Sequence, residues 1–100
     1  QGSELEENKT KLCEILINER GQVLIDNEPA NIDQVKLIAI RKMDSGNWIY
    51  EKGQRVESLL IFSLKTNKGT KYNDYLAVLD QLKQSGTKKI SISNPPGTKK

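Results

Sequence analysis

Apolar and polar residues change period several times along the chain, and each change marks an element. Cys13, Ile15 and Ile17 alternate with Leu12, Glu14 and Leu16, the period-two pattern of a strand whose second face is also largely apolar. Asn18–Gln22 supplies a turn, with Gly21 suited to positive φ, and Val23–Ile25 returns as a second strand in a hairpin. Asp26-Asn27-Glu28 is a further turn cluster, and Pro29-Ala30 allows only a very short edge pairing. Asn31 and Gln34 form a capping-box-like pair ahead of Ile32, Val35, Ile38, Ala39 and Met43, which recur at helical spacing. Leu37 and Ile40 widen that stripe, so the helix is expected to lie flat on a sheet. Asp44-Ser45-Gly46-Asn47 ends it.

Residues 44–57 carry the weakest pattern. Trp48, Ile49 and Tyr50 interrupt an otherwise polar loop, and Gly53 loosens it. Two readings of Trp48 and Tyr50 stand side by side, a flap packed on the domain and an aromatic contact for a partner. Leu59–Leu64 is apolar on both faces, which suits a central strand. After a loop at 65–69, Thr70 is placed to cap a second helix. Its predicted buried stripe is Tyr72, Tyr75, Leu76, Leu79 and Leu82, broadened by Val78. Ser85-Gly86 stops that helix. Lys89-Ile90-Ser91-Ile92-Ser93 then alternates as a half-exposed edge strand, and Asn94-Pro95-Pro96-Gly97 ends it.

The expected fold is therefore α+β, a small two-layer sandwich in the order ββαβαβ. Two helices should share one face of a mixed sheet, because right-handed crossovers fix their side. One hundred residues suit one domain. Residues 1–10 read as a tag remnant (Gln1-Gly2-Ser3) and flexible tether, 11–94 as the domain, and 95–100 as a flexible basic tail. Apolar residues at 35% and charged residues at 29% favour a small folded domain over disorder. Apolar runs such as Leu37–Ile40 and Leu59–Phe62 are far short of the ~20 residues that span a bilayer.

Composition removes most chemistry. The chain has no histidine, and its single cysteine, Cys13, sits in an apolar strand. Glu6/Glu7 falls in the tether, and Asp74/Asp80 is six residues apart on a helix, about 120° off a common face. Lys65–Thr70 lacks the glycine spacing of a phosphate loop. No catalytic, cofactor-binding or metal-binding residue emerges. Net charge is +3, and a basic α/β nucleic-acid-binding module using Lys65, Lys68, Lys71, Lys88 and Lys89 is the alternative reading.

Residue order points further. Tyr72-Asn73-Asp74-Tyr75-Leu76-Ala77-Val78-Leu79-Asp80-Gln81-Leu82-Lys83-Gln84-Ser85-Gly86, followed by Lys88-Lys89-Ile90, resembles the ExbD/TolR family. There a tyrosine opens the second helix, a V-x-x-L-x-x-L-like stripe follows, then a glycine and a short last strand. Ile15–Asn18 through Gly21, Val23–Ile25, Asn27-Glu28-Pro29 and the capped helix agree with that family's front half. Residues 44–57 fit its branch with a longer mid-loop.

The resemblance implies a non-enzymatic domain on the periplasmic face of the inner membrane. Its single-pass anchor would lie outside this sequence and would carry the proton-transferring aspartate. It implies an ExbB-like channel subunit reached through that anchor, a TonB-like energy transducer, a homodimer, and no nucleic acid. Recognition is then expected at the strand edge Lys89, Ile90, Ser91, Ile92 and Ser93, with Trp48 and Tyr50 as a second contact. Proline at Ser91 is expected to block pairing there.

Overall fold

The computed structural model describes residues 12–93. The tether (1–10) and the basic tail (95–100) expected from the sequence lie outside the described residues, as do the domain's end positions Lys11 and Asn94. Its strands are β1 (Leu12–Ile17), β2 (Val23–Ile25), β3 (Glu28–Ala30), β4 (Trp48–Glu51), β5 (Gln54–Ser58), β6 (Ile61–Thr66) and β7 (Ile90–Ser93). A short 3-10 turn, Ile32–Gln34, leads into helix α1 (Val35–Asp44), and α2 (Tyr72–Gln84) joins β6 to β7.

Five strands form one mixed sheet in the order β3-β2-β1-β6-β7. β1–β2 and β2–β3 are antiparallel, while β1–β6 and β6–β7 are parallel. The fold is the expected α+β sandwich with both helices on one face. To the expected strand order it adds the short β3 and a separate two-stranded hairpin, β4–β5.

Register shows which residues meet the helices. Cys13 lies beside Phe62, and Ile15 lies between Ile25 and Leu64, all of them buried. From the helix layer, Val35, Ala39 and Met43 of α1 and Tyr75, Val78 and Leu82 of α2 close the core. Two predicted stripes were too broad. Leu37 is 58% exposed, Tyr72 54% and Leu76 40%. Each helix touches the sheet along a line of residues spaced by three or four, and positions a quarter-turn away reach past it.

The loops after β1 and β6 lock together at one end of the sheet. Gly21 has φ +79°, and a Cβ there would come within 2.9 Å of the Asp74 carboxylate. A Cβ on Gly69 would meet Glu19 Cβ at 2.7 Å. Thr70 does not cap α2; Lys71 occupies the cap position. Thr70 is instead buried, with its hydroxyl donating to the Ile17 carbonyl at 2.5 Å and accepting from the Asn67 N–H at 2.9 Å. A buried strand-end carbonyl demands a donor more strongly than a solvated helix start does.

β6 begins at Ile61, two residues later than the apolar run suggests. Leu59 is exposed, and its N–H donates to the Asn47 carbonyl at 2.8 Å, closing the base of the β4–β5 hairpin.

Candidate functional site

A five-stranded sheet has two edges, and they differ. β3 has three residues with Pro29 at its centre, a residue that cannot donate to a ladder. β7 is Ile90-Ser91-Ile92-Ser93, with neither proline nor charge within it. It lies at the edge, where the alternation predicted.

One hydrogen bond orients the whole of β7. The Phe62 N–H donates to the Lys89 carbonyl at 2.9 Å, and Phe62 is in register with Ile90. In a parallel ladder a residue bonds to the two neighbours of its register partner. Lys89, Ser91 and Ser93 therefore turn their backbone groups toward β6. Ile90 and Ile92 turn theirs outward, to the open edge. This corrects the expectation for Ser91: proline there would break the sheet internally, and the edge-blocking position is Ile92.

The side chains alternate in the perpendicular direction. Ile90 lies beside buried Phe62, and Ile92 beside buried Leu64, so both point to the helix side. Ile90 is half-buried against the core, whereas Ile92 is 40% exposed. Ser91 and Ser93 line the opposite face. Lys89, just before the strand, pairs through Nζ with Glu57 Oε2 of β5 at 2.8 Å. That hydrogen bond, reinforced by the lysine charge, holds the Glu57 carboxyl below its usual range.

The hairpin places the predicted aromatics apart. Trp48 is half-buried against the core, donating from Nε1 to the Met43 carbonyl at 2.8 Å. The Arg55 guanidinium covers its ring at 4.1 Å and also pairs with Asp44 at 3.0 Å. Tyr50 is exposed near the tip, on the register pair Tyr50–Arg55. Trp48 thus anchors the hairpin, and Tyr50 belongs to its surface. Neither residue adjoins β7 in sequence or sheet; the Glu57–Lys89 pair is the ionic link between hairpin and edge.

The lysines of the nucleic-acid alternative do not gather. Lys65, Lys68 and Lys71 lie at or beyond the end of β6, while Lys88 and Lys89 precede the start of β7, its parallel neighbour. Lys65 faces Glu14 at 3.7 Å, and Lys89 is held by Glu57. No single stripe results of the kind that tracks a phosphate backbone. Elsewhere, a cleft of about 410 Å³ lies between β3 and α1, lined by Ile25, Pro29, Ala30, Ile38, Arg41 and Lys42. Glu28 and Ser45 also line it, and its Lys42 is bound to Asp26 at 2.9 Å. Among the described residues no three His, Cys, Asp or Glu side chains gather to hold a metal, and no helix is long and apolar enough to cross a membrane.

The sequence had pointed to β7 as a unit. It could not show which of its residues face outward, since that depends on the register with β6.

These features define a small α+β domain whose five-stranded sheet ends in β7. Residues 1–97 match the family model of the biopolymer transport protein ExbD/TolR, and the chain belongs to that family. Membership places it among biopolymer transport proteins. No curated protein matches the chain.

Proposed function

We propose that this chain is the periplasmic domain of an inner-membrane energy-transduction protein, acting by protein–protein recognition through β7. Family membership supports the setting. The observation that carries the mechanism is the outward-facing backbone of Ile90 and Ile92 on an edge without proline or charge. An added strand would take up those N–H and C=O groups, and water would leave a surface already part-covered by α2. An ExbB-like channel subunit would work through an anchor outside this sequence, and a TonB-like transducer would receive the force. A homodimer paired through β7 would use the same edge, so self-association and partner binding would exclude one another there.

The test compares Ile92→Pro with Ile92→Val. Proline removes an outward N–H that the β6 ladder does not use; valine retains the N–H and nearly all of the side chain. Binding to the periplasmic region of a TonB-like transducer, and self-association, are measured by sedimentation and calorimetry, with circular dichroism as the check on folding. Ile92→Pro is expected to weaken the interaction at least tenfold with the fold retained, and Ile92→Val to leave it within about twofold. Equal binding by the proline variant would refute the reading.

A further inference from the structure

At the edge of the sheet opposite β7, the cleft between β3 and α1 has a volume of about 410 Å³. That falls within the roughly 300–1,000 Å³ usual for small-molecule sites. Ile38, Arg41, Lys42 and Ser45, spaced i, i+3, i+4 and i+7, form one flank of α1 and one wall of the cleft. β3 forms the other wall. Its Glu28 is in register with Ile25 and its Ala30 with Val23, and both partners are buried under the helices. The side chains of Glu28 and Ala30 therefore point to the α1 side of the sheet. Ile25 is buried at the base, and Ala30 and Ile38 are half-buried against the core, so the floor is aliphatic. Asp26 and Lys42 neutralise one another at 2.9 Å. That leaves one carboxylate, Glu28, on the strand wall and one guanidinium, Arg41, on the helix wall. Both are exposed, and neither is in an ion pair among the described residues.

We propose that the β3–α1 cleft binds a small zwitterion with an aliphatic body, of the kind of an apolar dipeptide with both ends free. Arg41 takes the carboxylate in a forked pair, and Glu28 accepts the hydrogen bonds of the ammonium. The aliphatic body displaces water from Ile25, Ala30 and Ile38. Charge selects this class of ligand. A simple anion meets Arg41 but is repelled by Glu28, and a simple cation meets the reverse. A neutral apolar body draws both groups away from water and gives neither a partner. Pro29, at the centre of β3, has no N–H to offer, so a strand laid along this edge finds a broken ladder. The occupant is accordingly a compact body seated between the walls. Because both charges are exposed, each contact is worth a few-fold in affinity, and binding falls in the millimolar range. The site is separate from β7 and does not depend on what pairs there.

The probe is alanyl-leucine, titrated into the ¹⁵N-labelled 100-residue chain. It is compared with N-acetyl-alanyl-leucine, which lacks the ammonium, alanyl-leucine amide, which lacks the carboxylate, and the doubly capped N-acetyl amide. Alanyl-leucine is expected to shift the amides of Ile25, Ala30, Ile38 and Arg41 in a saturable way. Each singly capped analogue should bind at least threefold more weakly, and the doubly capped one at least tenfold. Two variants then assign the walls, with circular dichroism as the check on folding. Glu28→Gln should erase the preference for a free ammonium and keep that for a free carboxylate; Arg41→Gln should do the opposite. Lys68→Gln, in the loop before α2, should change neither preference, which separates the site from net charge. Shifts without saturation, shifts centred away from the cleft, or equal binding by the doubly capped analogue would overturn the proposal. So would ligand preferences that survive both Glu28→Gln and Arg41→Gln.

Discussion

Asp26 ties three elements together from a turn. It sits at φ +50°, beside Asn27 at +70°, in the two-residue turn between β2 and β3. One carboxylate oxygen accepts the Glu14 N–H of β1 at 2.9 Å, and the other meets Lys42 Nζ of α1 at 2.9 Å. Burial by itself would raise the Asp26 carboxyl. The hydrogen bonds from Lys42 and Glu14, with the lysine charge, outweigh it and hold the group below its ordinary value. A depressed folded-state value means stability that is present above the unfolded carboxylate pKa of about 4 and lost as pH falls through the folded value. Asp26→Asn should therefore cost about 0.5–1 kcal/mol at pH 7 for so exposed a pair, and distinctly less at pH 3. Urea unfolding at the two pH values checks this, and an undiminished gap at pH 3 would contradict it. Nearby Cys13 needs no functional role: burial first, then Asp26, push its thiol up to about 12, where it is an inert core residue.

Among the elements, the β4–β5 hairpin was the one the sequence concealed. A two-stranded hairpin is marginal without support, and this one is supported from outside itself. Trp48 reaches the Met43 carbonyl, Arg55 reaches Asp44, and Glu57 reaches Lys89. Replacing Trp48 by Ala should cost about 2 kcal/mol. Amide exchange should then accelerate across 49–57 while β1 and β6 keep their protection. Uniform acceleration across the sheet would show instead that the hairpin belongs to the core's cooperative unit. The hairpin escaped sequence reading for two physical reasons. Its turn puts Lys52, a residue that rarely adopts positive φ, at +53° ahead of Gly53 at +80°. Its ladder passes from Ile49–Glu57 to Tyr50–Arg55, skipping Val56, and that bulge breaks the alternation that signals a strand. β1, β2, both helices and β7 carried unbroken periods and were legible.

At the scale of the molecule, the alternation in β7 announced an edge strand, and the apolar run before β6 announced a buried one. Neither period could assign hydrogen-bond direction. Ser91 and Ile92 look equally available in sequence, and only the Phe62–Ile90 register separates them. The broad stripe of α2 was legible as apolar but not as half-empty. Tyr72 and Leu76 have the spacing of core residues, yet α2 overhangs the last strand of the sheet. The same residues that a helical pattern assigns to packing thus stay exposed. The energetic reading follows from that geometry: the domain leaves one sheet edge and one helix flank incompletely buried.

Amide hydrogen exchange, residue by residue along β7, tests this most directly. In the free domain the N–H groups of Ser91 and Ser93 should be protected by β6, and those of Ile90 and Ile92 should exchange at rates close to an open strand's. Adding a saturating periplasmic segment of a TonB-like transducer should slow Ile90 and Ile92 by at least tenfold and leave Ser91 and Ser93 little changed. Binding that left the Ile90 and Ile92 amides as fast as before would contradict recognition through this edge.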